Sequence, residues 1–186
     1  PLQAETSLFT EKNSTRATRS SFRANFFKTP TEKSELEEVL LSKHPFQHLN
    51  SKLLKLLMKV IHNRVYAANE YIFFQNDPGI ALYIIIKGEI LITQDEGGDR
   101  FDLAILGHGD FFGELALLDE AKRSASAIAM KESQLAVIFR PDLDEFVEAY
   151  PKEGVNVLRG ISTIVATRLR NLNQDYFSLY HKTRIK

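Results

Sequence analysis

Cysteine is absent from the sequence, which removes disulfides, thiolate chemistry and cysteine-based metal sites and fits a reducing compartment. Net charge is absent too. The 24 basic and 24 acidic side chains cancel, so no global field steers the chain toward nucleic acid or acidic partners. Only Lys182, Arg184 and Lys186 offer late contacts to phosphate groups, and a nucleic-acid partner is not expected. The longest apolar run, Ile80 to Ile86, stops at Lys87, far short of a bilayer span. No signal-peptide pattern is present. Histidines are few: His44 and His48 are separated by Pro45, which breaks the helix a metal pair would need. Only His62 and His108 fall in or beside the strand region, so the histidine pattern of a metal-binding barrel is missing. No nucleophile–base pair with supporting context is evident. Neither an enzyme nor a metal site is expected, and the expected setting is cytoplasmic, with no membrane partner. The start at Pro1 rather than Met is what a piece of a longer protein would show.

Apolar residues make up 44% of the chain, enough for a real core. Residues 1–34 carry Ser, Thr and the basic residues Lys12, Arg16, Arg19, Arg23 and Lys28 with little periodicity, and read as a flexible or docking arm. Phe22, Phe26 and Phe27 are too apolar for a solvated tail and point to docking on the domain or a second subunit. Residues 35–186 read as one domain. N-terminal helices occupy 35–62: Ser34 and Glu37 have capping-box spacing, Leu36, Val39 and Leu40 share a face, and Pro45 ends the helix. Asn50 or Ser51 caps a second helix with a stripe of Leu53, Leu54, Leu57, Met58 and Ile61. Over 63–140 the pattern turns to short strands separated by Asn76-Asp77-Pro78-Gly79, Lys87-Gly88-Glu89 and Gly97-Gly98. Leu82 to Ile86 is apolar on both faces, as a doubly buried strand would be. The fold expected is mainly β with flanking helices, an eight-stranded, jelly-roll-like β-roll. Over 141–186 helices resume, with Leu143 and Phe146 inward. Leu158, Val165, Leu172 and Leu179 then recur every seven residues on a long last helix, which predicts a homodimer through that helix. Arg168 and Asp175 interrupt the seam.

The richest stretch is Gly109-Asp110-Phe111-Phe112-Gly113-Glu114-Leu115-Ala116-Leu117-Leu118, followed after a polar corner by Arg123-Ser124-Ala125. Gly113 permits close approach of the backbone to a ligand. The short helix after it offers N–H groups to an anion. Arg123 supplies a bidentate fork for phosphate. Glu114, an acceptor when ionised, suits a hydroxyl. One anion site beside one hydroxyl acceptor fits a ribose phosphate. The competing reading is a structural Glu114–Arg123 ion pair at a barrel corner.

This stretch resembles, spacing included, the phosphate-binding cassette of cyclic nucleotide-binding domains, which reads roughly Phe-Gly-Glu-Leu-Ala-Leu-Leu, a short gap, then Arg and two small residues. The resemblance extends over about Leu36 to His181. Gln75 to Glu89 is similar to the family's core motif, with Gly88 in a tight turn and Asn76 where glycine is frequent, a position of positive φ that Asn tolerates. The resemblance implies that Arg123 clamps the cyclic phosphate and Glu114 takes the ribose 2′-hydroxyl. Gly113, Leu115 and Ala116 would line the sugar-phosphate, and Ser124 would lie beside the phosphate or the purine edge. The base would pack on Leu103 and Val65 under a lid from the last helix, with Tyr176 and Tyr180 as stacking candidates. Lys122 replaces the family's common proline. The expected ligand is cAMP rather than cGMP, although a hydroxyl after the Arg can also serve guanine. The expected role is a ligand-sensing module that signals through its last helix to an unidentified effector. The helix Thr167 to Asn173 resembles the dimer helix of bacterial regulators. The alternative is a dimerisation or protein-interaction module that binds no nucleotide.

Overall fold

A computed structural model describes residues 30–42 and 50–184. The order of elements is α1 (Pro30–Ser42), α2 (Ser51–Leu57), β1 (Ile61–Tyr66), β2 (Tyr71–Phe73), β3 (Ala81–Lys87), β4 (Ile90–Glu96), β5 (Asp99–Leu106), β6 (Phe111–Phe112), α3 (Leu115–Leu118), β7 (Ser126–Ala129), β8 (Ser133–Phe139), α4 (Arg140–Ala149) and α5 (Pro151–Arg184). Residues 1–29 of the expected arm, with its three phenylalanines, lie outside the described residues, as do His44, Pro45 and His48. The first helix already includes Pro30, ahead of the expected Ser34 cap. Asn50 caps α2 as expected, its Oδ1 accepting from Leu53 N at 2.8 Å. Ile61 does not extend the helical stripe. After two tight turns (Lys59 N to Leu56 O, Val60 N to Leu57 O) it opens β1, opposite Ile138 on β8, where ladder pairing takes over.

The strands form two antiparallel four-stranded sheets, in the orders β1-β8-β3-β6 and β2-β7-β4-β5. This is the expected eight-stranded roll. Strand β3 explains the architecture. Its alternate residues Ala81, Tyr83 and Ile85 face the roll interior with Phe112, Leu135 and Val137. Leu82, Ile84 and Ile86 face outward under Leu36, Leu40, Leu57, Phe146 and Ile161 from the helices. A strand buried on both faces must be apolar at every position, which is the pattern of residues 82–86. Each such side chain contributes about 1.5–3 kcal/mol on burial. Gly88 and Gly97-Gly98 take positive φ in the turns assigned to them.

Helix α4 starts at the end of β8 with proline in its first turn and buries Leu143 and Phe146. Gly154 lets α5 close on α4, since a Cβ there would meet Val147 Cγ2 at 2.8 Å. The first part of α5 packs on the roll through Val157 and Ile161. From Leu169 to Lys182 it is exposed.

Candidate functional site

Two loops assemble the cassette. At residues 75–78, Asn76 takes φ 68°, and the Asp77 carboxylate accepts from Phe74 N at 3.0 Å, tightening the turn. This turn is strapped to the strand-like segment carrying Arg123: Asn76 N donates to Arg123 O and Arg123 N donates to Asp77 O, both at 2.9 Å. The backbone of Arg123 is therefore held by a segment far upstream. On the other side, β6 pairs with β3, Phe112 opposite Tyr83. Gly113 then turns the chain at φ 74° into Glu114 and α3.

Arg123 lies between these loops and is only 6% exposed. Its Nη1 donates to Gly113 O at 3.1 Å and its Nη2 to Ala81 O at 2.9 Å. The guanidinium stacks over the Phe73 ring, 4.1 Å from its centroid, and lies near Tyr83. Its Nε is buried without a hydrogen-bond partner. Burial pulls the Arg123 pKa below its ordinary value, and Tyr83, Glu114 and Asp77 oppose the shift. Burial raises the Tyr83 pKa against the pull of Arg123. A buried cation that meets carbonyls and aromatic faces, with no carboxylate in ion-pair range among the described residues, is positioned for an incoming anion.

The expected alternative, a Glu114–Arg123 ion pair, is not what forms. Glu114, 5% exposed, pairs instead with Arg168 of α5: Arg168 Nη1 lies 2.6 Å from Glu114 Oε2. Arg168 Nη2 also donates to Phe111 O. The charged residue that interrupts the α5 heptad is thus turned toward the cassette.

These groups border a cavity of about 450 Å³. Gly113, Glu114, Leu115, Ala116, Arg123 and Ser124 all line it, with Lys122 and Ala125 beside them. Leu103 does not: it is 54% exposed, and its neighbours Ala104 and Leu106 face the cavity with Ile92. Side chains alternate across a strand, so Ala104 and Leu106 share the cavity face of β5 and Leu103 lies on the other. Val65 is exposed on β1, in the other sheet. Tyr176, 64% exposed, and Tyr180 stack on each other along α5 and line no part of the cavity. Arg168, Phe73 and Phe112 line it unforeseen. For Arg168 the signal was a charge in an apolar seam.

Gly113 has no room for a side chain. A Cβ would sit 2.6 Å from Arg123 Nη1 and 3.0 Å from Ala81 O, and L-residues resist its φ at about 1–2 kcal/mol. Gly113→Ala is expected to displace the guanidinium and to lower the melting temperature by several degrees, read by calorimetric melting. An unchanged melt would show that the loop relaxes freely.

Among the described residues no group of three or more acidic, histidine or cysteine side chains could hold a metal, and no helix is long and apolar enough to cross a membrane. Residues 63–150 match the cyclic nucleotide-binding domain. The chain is 35% identical over 131 residues to the cyclic AMP receptor protein of Thermus thermophilus, a match covering 70% of this chain and 59% of that protein. It thus spans less than two thirds of that relative's length. Among solved structures, the regulatory domain of Toxoplasma gondii PKA in co-crystals with cAMP superposes with a TM-score of 0.61 at 28% identity, over 68% of this chain and 49% of that one. A cyclic nucleotide-binding domain from Methylobacillus flagellatus shares the fold, with a TM-score of 0.70 at 24% identity over 76% and 80% of the two chains.

Proposed function

Because residues 63–150 belong to the cyclic nucleotide-binding domain family, we propose that this chain binds a 3′,5′-cyclic nucleotide in the cassette cavity, cAMP in preference to cGMP. It then acts as a sensing module that signals through α5. The observation that carries the reading is Arg123, a buried guanidinium in the cavity wall with an unpartnered Nε. The cyclic phosphate takes that fork. Glu114 accepts the ribose 2′-hydroxyl while keeping its pair with Arg168. The base lies on the apolar wall of Ile92, Ala104, Leu106 and Leu115. Preference for cAMP is supported by relatives whose descriptions name cAMP, the Thermus thermophilus receptor protein and the Toxoplasma gondii regulatory domain among them. Calorimetric titration with cAMP and cGMP tests the proposal. Absence of heat, with no thermal shift at millimolar nucleotide, would sink it.

The route to α5 is the Glu114–Arg168 pair, which joins a ligand-contacting carboxylate to the output helix. A ligand hydroxyl on Glu114 changes what Arg168 meets, and the balance between two helix positions shifts by the difference in those contacts. The same pair favours a second reading, since it already satisfies Glu114 and fits an interaction module with no nucleotide.

Past Leu169, α5 exposes a face including Leu172 (65% exposed), Tyr176 and Leu179. Such a continuous apolar face is expected to pair with its counterpart in a second copy. Leu172→Glu is expected to raise the dimer dissociation constant at least tenfold, because a carboxylate in an apolar seam loses its hydration. Sedimentation equilibrium measures this, and an unchanged mass distribution would exclude the α5 seam.

A further inference from the structure

Arg140 is the first residue of α4 and is absent from the cavity lining. Its backbone N donates to Ile80 O at 2.8 Å. Its side chain reaches the far end of α3: Nε donates to Ala116 O at 2.7 Å, and Nη2 donates to Ala116 O and Asp119 O. Nη2 also donates to Gly79 O at 3.0 Å. A four-residue helix cannot satisfy its own last carbonyls. Leu115 O accepts from Asp119 N, and Arg140 takes Ala116 O and Asp119 O. A cation is also favoured at a helix C-terminus.

The junction has little slack. A Cβ on Gly79 would meet Ala116 Cβ at 2.9 Å and Ala121 O at 3.0 Å, so the 79–80 loop, α3 and the root of α4 are packed as a unit. At the other end of α4, Val147 packs equally closely against Gly154 of α5. Ala116 is the pivotal residue, since it lines the cavity while its carbonyl is held by Arg140.

We propose that Arg140 is a positioning residue that ties the cavity-lining helix α3 to the root of α4. A displacement of α3 on ligand binding is thereby delivered to α4 and, at the Val147–Gly154 contact, to α5. This link rests on the nucleotide-binding reading and is separate from the Glu114–Arg168 pair. Lysine lacks the second donor nitrogen: Nη2 by itself meets Gly79 O, Ala116 O and Asp119 O, and Nε adds a separate bond to Ala116 O.

Hydrogen exchange on the full chain with and without cAMP, together with calorimetric affinity, tests the link in Arg140→Met and in the milder Arg140→Lys. In the free protein, exchange over 115–119 is expected to rise about tenfold in both variants, the factor that one charge-assisted hydrogen bond is worth. With cAMP, affinity is expected to fall by less than about tenfold, because Arg123 is untouched, while the protection that the parent gains over 140–149 is lost. A purely structural residue would not separate affinity from that protection. Parent-like exchange over 115–119, or cAMP protection of 140–149 undiminished in Arg140→Met, overturns the proposal. Full retention of parent behaviour in Arg140→Lys overturns the need for the separate Nε bond to Ala116 O. If the parent itself does not bind cAMP, the nucleotide reading fails on that result, and exchange over 115–119 in the free chain still decides whether Arg140 holds α3.

Discussion

Arg123→Ala is expected to weaken cAMP binding by about a hundredfold to ten-thousandfold. Hydrogen bonds to a charged group contribute about 1.5–3 kcal/mol each, a fork makes two to a phosphate, and each 1.4 kcal/mol is about tenfold in affinity. The upper end is favoured because Nε is already desolvated and unpartnered before a ligand arrives. Little of the bond energy is then spent on stripping water or ordering the side chain, which two carbonyls and the Phe73 ring hold in place. Arg123→Lys separates charge from geometry. It keeps the cation but loses the fork and the flat stack on Phe73, and a loss of tenfold or more is expected for it too. Titration calorimetry of parent and both variants reads the result. Parent-like affinity in Arg123→Ala would remove Arg123 as the phosphate contact.

The largest expected loss of stability comes from Phe112→Ala. Phe112 is 2% exposed, stacks on Tyr83 with centroids 5.0 Å apart and lies 5.9 Å from Phe73. Truncating a buried phenylalanine costs about 3–5 kcal/mol through lost burial and the cavity left behind. For a chain of this size each kcal/mol moves the midpoint by about 2–4 °C, so a fall on the order of 10 °C is expected. Binding should weaken as well, since Phe73 and Tyr83 are the rings against which Arg123 rests. Leu103→Ala, on the exposed side of β5, is the control and should stay within about 0.5 kcal/mol of the parent. Equal melting curves for the two variants would show that the aromatic cluster is not what holds β6 against β3.

The turns were the most legible part of the fold. Asn76, Gly88, Gly97 and Gly98 all take positive φ, a demand so local that residue type announces it. The doubly buried β3 was equally plain, because burial on both faces permits no polar residue. Boundaries were less so. Ile61 continues a helical stripe on paper, and only its pairing with Ile138 makes it the first residue of a strand. On β5 the alternation was visible, but which face looks inward was not: Phe101, Leu103 and Ile105 are the more apolar set, yet Ala104 and Leu106 line the cavity. Hydrophobicity favours the outward set, and it is the pairing with β4, which puts Ala104 opposite Ile92, that turns the other set to the cavity.

What the sequence by itself determined was the chemistry of the cassette: a glycine where the backbone must turn, an acid, and an arginine at a set distance along the chain. These depend on residue type and short-range geometry, which the linear order carries. The tertiary structure decided who meets whom. It brought Asp77 to the backbone of Arg123, Arg168 to Glu114 and Arg140 to the end of α3. Arg168 and Arg140 read in the sequence as an interruption and as a strand end. Side chains distant in sequence find each other only because packing of the sheets and helices determines their separation, and no local pattern encodes that distance.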